Sequence, residues 1–180
     1  MLDYQGMEIL RVTNLNDEDL SFKAAIENEN IGGALRIYLS TPLMKGKPID
    51  IVVYFKTNDE QRAIDWIPKE DTEEGVFPML YSQCEMINCR SIAPMQDTPS
   101  MKFTYDAQID TDRPFKTFMS ANLTREVFSG GRRSRFFSMP IAIPGYDIAI
   151  FSGDLYERQI SKRVYLIGEQ AWLDEAEQEY

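Results

Sequence analysis

Two thiols, Cys84 and Cys89, lie close together in a chain of 180 residues that contains no histidine. A thiol attacks as the thiolate, which an adjacent imidazole ordinarily generates, and no imidazole is available here. Two thiols without imidazoles also fall short of the four ligands of a structural zinc site. Two free thiols in a reducing compartment, rather than a disulfide between them, are expected. Gly130-Gly131-Arg132-Arg133 lacks the lysine and hydroxyl of a phosphate-binding loop. Arg132, Arg133 and Arg135 form a basic cluster, read as a solvated loop between turn and strand ahead of an anion site. Arg90 and Asp97 bracket a loop containing Pro94 and closely followed by Pro99. They are expected to pair or to cap backbone groups and so fix the loop's shape. Taken alone, Gln83 and Glu85 are ordinary polar loop residues. Catalysis by this chain alone is not expected.

The elements that must hold these residues are strands. From Met101, the residues Phe103, Tyr105, Ala107 and Ile109 alternate with Lys102, Thr104, Asp106, Gln108 and Asp110, the period of a half-buried strand. Further strand-like runs are Met7–Val12, Leu20–Ile26, Ala34–Leu39, Ile49–Thr57, Lys116–Ser120, Arg135–Ile141, Tyr146–Phe151 and Arg163–Ile167. Turn residues separate them: Asn14–Asp17, Gly32-Gly33, Lys45–Pro48, Gly130-Gly131 and Pro144-Gly145. Many short strands with polar turns predict an all-β, sandwich-like domain. Helical periodicity is confined to Glu169–Tyr180, where Ala171, Trp172 and Ala176 punctuate an acidic stretch. Phe103, Tyr105, Phe136 and Phe137 are read as core.

Composition narrows the partners. With 29 acidic against 19 basic residues, the net charge of −10 disfavours nucleic acid and anionic membranes. No apolar run reaches the length of a membrane span, and the opening residues do not form a signal or transit peptide. The expected location is the cytoplasm, which makes Asn122-Leu123-Thr124 an accidental glycosylation match.

The segment 81–105 resembles the signature region of the β-domain in the M1 zinc aminopeptidases, leukotriene A4 hydrolase-like branch. The residues that carry the resemblance are Gln83, Cys84, Arg90, Pro94, Gln96, Asp97, Thr98, Pro99, Ser100 and Lys102. Ala63–Trp66 with the acidic loop after it, Pro140–Ala149 and Glu157–Arg163 extend the resemblance over nearly the whole chain. It implies a multi-stranded, saddle-shaped, sandwich-like domain over 1–168, with an acidic helical tail, 169–180, leading toward a catalytic domain. That family takes its zinc from a His-Glu-x-x-His helix and a later glutamate, so no cofactor is expected in this chain. Zinc is expected in a partner or in a catalytic domain outside these residues.

The resemblance also implies roles. Gln83, Cys84 and Glu85 fall where the β-domain lends an edge to the substrate cleft, and the position of Glu85 holds the peptide's α-amino group. A carboxylate facing an ammonium makes a charge-assisted hydrogen bond, which restricts binding to peptide N-termini. The branch usually carries glutamine and then a small residue there. Glu85 and Met86 depart from this, so Met86 is expected to narrow the first side-chain pocket, and epoxide hydrolysis is not inferred. Arg90, Asp97 and Pro99 are assigned to the loop scaffold. The implied function is a non-catalytic substrate-binding β-domain, with a structural or interaction subunit as the alternative and an unrelated β-sandwich binder as a weaker third. The family's domain begins several strands earlier, so an open sheet edge is expected, covered by another protein chain or a neighbouring segment.

Overall fold

The alternating run after Met101 is a strand along its whole length in the structure, a computed structural model that describes residues 1–28 and 30–179. It spans Lys102–Asp112, and Phe103, Tyr105, Ala107, Ile109 and Thr111 are half-buried while each intervening residue is exposed. The strand is one of fourteen among the described residues, accompanied by one α-helix. The fold class is all-β with a C-terminal helix, as expected.

The chain divides into two compact units. The first comprises Met1–Ile64, Gln83–Phe103 and Ile143–Asp147. Its strands are β1 (Leu2–Tyr4), β2 (Met7–Thr13), β3 (Phe22–Asn28), β4 (Gly32–Ile37) and β5 (Val52–Thr57). An antiparallel sheet runs β1-β4-β3, with Leu2 opposite Leu35 and Ala25 opposite Ala34. A separate ladder joins β2 to β5, from Met7 opposite Thr57 to Thr13 opposite Val52. Tyr4, Met7 and Leu35 form the buried centre between them, flanked by Phe22, Ile37, Val53 and Phe55. Removing such apolar surface from water drives the packing of the two ladders.

Two glycines make this packing possible. Gly6 sits at φ 58°, and a Cβ there would lie 2.1 Å from the Gln61 nitrogen. At Gly33 a Cβ would lie 2.1 Å from the Ala25 carbonyl oxygen, so β3 and β4 approach only because no side chain intervenes. On the side of β1 away from β4, Asp3 and Met95 exchange backbone hydrogen bonds of 2.7 and 3.0 Å. A neighbouring segment thus occupies that side of β1.

The second unit comprises Asp65–Ser82, Thr104–Ala142 and Ile148–Tyr180. It holds all or most of the residues of β6 (Ile64–Ile67), β7 (Met79–Ser82), β8 (Lys102–Asp112), β9 (Lys116–Met119), β10 (Asn122–Ser129), β11 (Arg132–Pro144), β12 (Ile150–Gly153), β13 (Tyr156–Ser161) and β14 (Val164–Gly168). They form sheets ordered β6-β7-β12-β9 and β10-β11-β8 and a β13-β14 hairpin. The helix α1 (Gln170–Glu179) follows; the expected helix end at Tyr180 lies outside the described residues. Leu173 anchors α1 in the interior, and Arg158 of β13 bridges to Asp174 at 2.6 Å and Glu177 at 2.9 Å.

Several expectations need correction. Ile49 does not begin a strand: β5 starts at Val52, where the ladder to Thr13 of β2 ends and leaves Ile49 without a partner strand. The run Tyr146–Phe151 is split, with a 3₁₀ turn at Gly145–Asp147 and β12 beginning only at Ile150. Arg132, Arg133 and Arg135 are not a solvated loop but the start of β11. Arg135 is 2% exposed and ion-paired to Glu126 at 3.2 Å and Glu157 at 3.7 Å. It also donates from Nη1 to the Thr117 carbonyl. Burial lowers its pKa from the usual guanidinium value, and the two carboxylates oppose that shift. Strands β1, β6, β7, β10 and β13 had no counterpart in the pattern.

Candidate functional site

The loop 83–100 belongs to the first unit and is built around one arginine. It leaves the second unit at Gln83, whose N–H donates to the Ala63 carbonyl at 2.7 Å. It then turns through 85–87 into a short 3₁₀ helix, Asn88–Ser91, whose Cys89, Arg90 and Ser91 are all buried. Asn88 closes the turn twice: its N–H donates to Cys84 at 3.0 Å and its side chain to the Glu85 carbonyl at 2.7 Å. The Glu85–Met86 peptide within the turn is cis.

Arg90 reaches three parts of the unit at once. Its Nε donates to Asp97 Oδ2 at 3.2 Å, and its own backbone N–H donates to the same oxygen at 3.0 Å. Nη2 donates to the Asp97 carbonyl at 3.1 Å, and Nη1 to the Ile31 carbonyl at 2.9 Å. Asp97 in turn donates its N–H to the Asp3 carboxylate at 3.0 Å, and the Arg90 carbonyl accepts from Gln5 at 3.1 Å. A buried ion pair is tolerable only when its remaining donors and acceptors are met in this way. The result is a rigid loop fastened to β1. Pro99 lies on its exposed side and joins none of these bonds.

The candidate substrate residues separate by exposure. Gln83 and Glu85 face solvent, and Met86 is 81% exposed. The Glu85 carboxylate has no hydrogen-bond or ion-pair partner among the described residues. Cys84, between them, points inward and is 3% exposed. Its thiol hydrogen-bonds to that of Cys89; this bond and burial raise the Cys89 pKa far above the ordinary thiol range. Both cysteines are free. Sequence reasoning placed Gln83, Cys84 and Glu85 on one edge; the fold exposes the outer two and buries the middle one.

Zinc does not fit this donor set. The chain has no imidazole, its two thiols are buried and hydrogen-bonded to each other, and no three potential ligands converge among the described residues. No helix of the described residues is long and apolar enough to cross a membrane.

Comparison with known proteins agrees with the family resemblance. The family model described as the peptidase M1 N-terminal domain matches residues 1–146. The leukotriene A-4 hydrolase of Xenopus laevis is 31% identical over the full chain, which spans 30% of that protein's length. Leucine aminopeptidase 2-1 of Meyerozyma guilliermondii is 31% identical over 96% of the chain and 27% of its own. Among solved structures, leukotriene A4 hydrolase from Saccharomyces cerevisiae superposes with a TM-score of 0.83 at 27% identity, covering 99% of this chain and 27% of its own. The M1 zinc metallopeptidase from Deinococcus radiodurans shares the fold, with a TM-score of 0.70 over 92% of the chain and 38% of its own at 18% identity.

Proposed function

The chain belongs to the peptidase M1 N-terminal domain family, and from that premise we propose that it supplies the substrate-binding edge of a zinc aminopeptidase. The observation that carries the reading is the Glu85 carboxylate, exposed and unpartnered, on a loop held rigid from beneath by Arg90 and Asp97. A carboxylate so placed is free to accept hydrogen bonds from a peptide's α-ammonium. Gln83 lends an amide to the same edge, and Cys84 anchors the backbone between the two. Met86 limits the size of the first side chain.

Zinc and the water it activates come from a separate domain or chain, toward which the acidic tail 169–180 leads after the β-domain of 1–168. That partner, or a further protein chain, covers the outer edge at β3, where Ile26 is 62% exposed. The two free, buried thiols favour the cytoplasm as the compartment.

The test is to assay zinc content and aminoacyl-substrate hydrolysis for this chain alone and with whatever polypeptide co-purifies with it. Activity is expected only with a zinc-binding partner. There Glu85→Ala should raise KM by about tenfold, the loss of one charge-assisted hydrogen bond, with a smaller effect on kcat. Robust hydrolysis by the isolated chain would overturn the reading. A co-purifying partner that binds no zinc would favour an interaction subunit instead.

A further inference from the structure

The second unit holds a cleft of about 640 Å³ whose lining includes Arg113, Lys116, Phe128, Arg133, Asp154 and Glu157. The Arg113 guanidinium lies 4.8 Å from the centre of the Phe128 ring, and that of Arg133 lies 5.0 Å from the same centre. Two like charges therefore gather around one aromatic side chain, each favoured by the ring's quadrupole but repelling the other. Stacking leaves the in-plane N–H groups of a guanidinium available to an oxyanion.

The local acids are largely committed. Glu157 accepts from Lys116 at 2.9 Å and faces the buried Arg135 at 3.7 Å. Glu126 is shared between Arg135 at 3.2 Å and Arg133 at 3.8 Å. The longer of these contacts leaves Arg133 Nε buried and without a hydrogen bond among the described residues. Arg113 has no carboxylate partner among them. Four cations thus face three carboxylates, a local positive surplus in a chain of net charge −10.

We propose that this cleft is a binding site for a phosphate-type oxyanion, free or carried on a larger ligand. Arg113 is its exposed clamp, and Arg133 and Lys116 are its fixed donors. A tetrahedral dianion presents oxygens to three separate cations, whereas a carboxylate satisfies one guanidinium fork. Asp154 can accept a hydrogen bond from a P–OH group. Bringing the anion between Arg113 and Arg133 also relieves their mutual repulsion around Phe128.

Titration of the 180-residue chain with inorganic phosphate, O-phosphoserine and succinate, followed by calorimetry or amide chemical shifts, tests the site. Saturable phosphate binding at millimolar concentration is expected, weakened about tenfold or more by Arg113→Ala, which removes one charge-assisted hydrogen-bond donor. Arg132→Ala serves as the control, because Arg132 is solvated and pairs with Asp112 at 3.6 Å. Both substitutions are at exposed positions, and an unchanged melting temperature verifies folding. Tighter binding of O-phosphoserine than of phosphate identifies a carried group; equal binding identifies the free ion. The proposal fails if phosphate binding does not saturate, if Arg113→Ala binds like the parent, or if succinate matches phosphate.

Discussion

Arg90 and Asp97 share one carboxylate oxygen between two donors, the Arg90 side chain and the Arg90 backbone N–H. Both side chains are more than nine-tenths buried. Removing either partner strands the other as an uncompensated charge, so Arg90→Ala or Asp97→Ala should each cost about 3–5 kcal/mol. Urea denaturation measures this. The double substitution should cost clearly less than the sum of the singles, and strict additivity would refute the coupling.

At Gly6 both conformation and space exclude a side chain, since φ is 58° and the nearest backbone atom would lie 2.1 Å from a Cβ. Gly6→Ala should destabilise by at least about 2 kcal/mol from backbone strain and overpacking together. Gly46, at φ 82° with nothing near it, isolates the conformational part: Gly46→Ala should cost only about 1 kcal/mol. Equal losses at the two sites would contradict the close approach to Gln61.

The hydrogen bond that the Cys89 thiol makes to Cys84, together with the burial of Cys89, raises the Cys89 pKa above its ordinary 9.0, so the native state holds the proton more tightly than the unfolded chain. Between the two pKa values the native state binds more protons, and stability falls as pH rises. The contribution is fully present below about pH 9 and declines progressively above it. Melting temperatures taken from pH 8 upward should show this decline, and Cys89→Ala should flatten it. Tyr4, whose pKa burial raises from 10.0, adds a second decline that begins above pH 10 and survives in the variant.

Glu169 is buried, and its carboxylate accepts the backbone N–H groups of Glu73 at 3.0 Å and Glu74 at 3.4 Å. Glu169→Ala leaves those donors without their acceptor and should cost about 1–3 kcal/mol. Limited proteolysis should detect the change as faster cleavage within 69–78, with the rest of the chain retaining its protection.

Legibility in the sequence followed the contrast between the faces of each element. β8 could be read because its alternation divides half-buried from exposed residues without exception. β10 could not, since all eight of its residues are exposed and no face is marked. β1, β6 and β7 span three or four residues each, too short for a period to register. In the candidate site, the proximity of Arg90 and Asp97 around prolines was visible. The inward turn of Cys84 was not, because the tight turn through 85–87 and the 3₁₀ helix after it set its direction. Arg135 misled for another reason: a buried cation looks like a surface one until the strands carrying Glu126 and Glu157 are placed beside it.

The bond from the Asp97 N–H to the Asp3 carboxylate joins residues 94 positions apart. Closing a flexible segment of that length costs about 4 kcal/mol of chain entropy beyond a fixed initial term. Such a contact is unrewarded until the intervening strands have formed. The loop 83–100 is therefore expected to be completed late in folding. During synthesis, Asp3 emerges long before the residues it must hold. Asp3 would then act as a waiting latch, and a chain with mature strands could still lack the finished loop around Arg90.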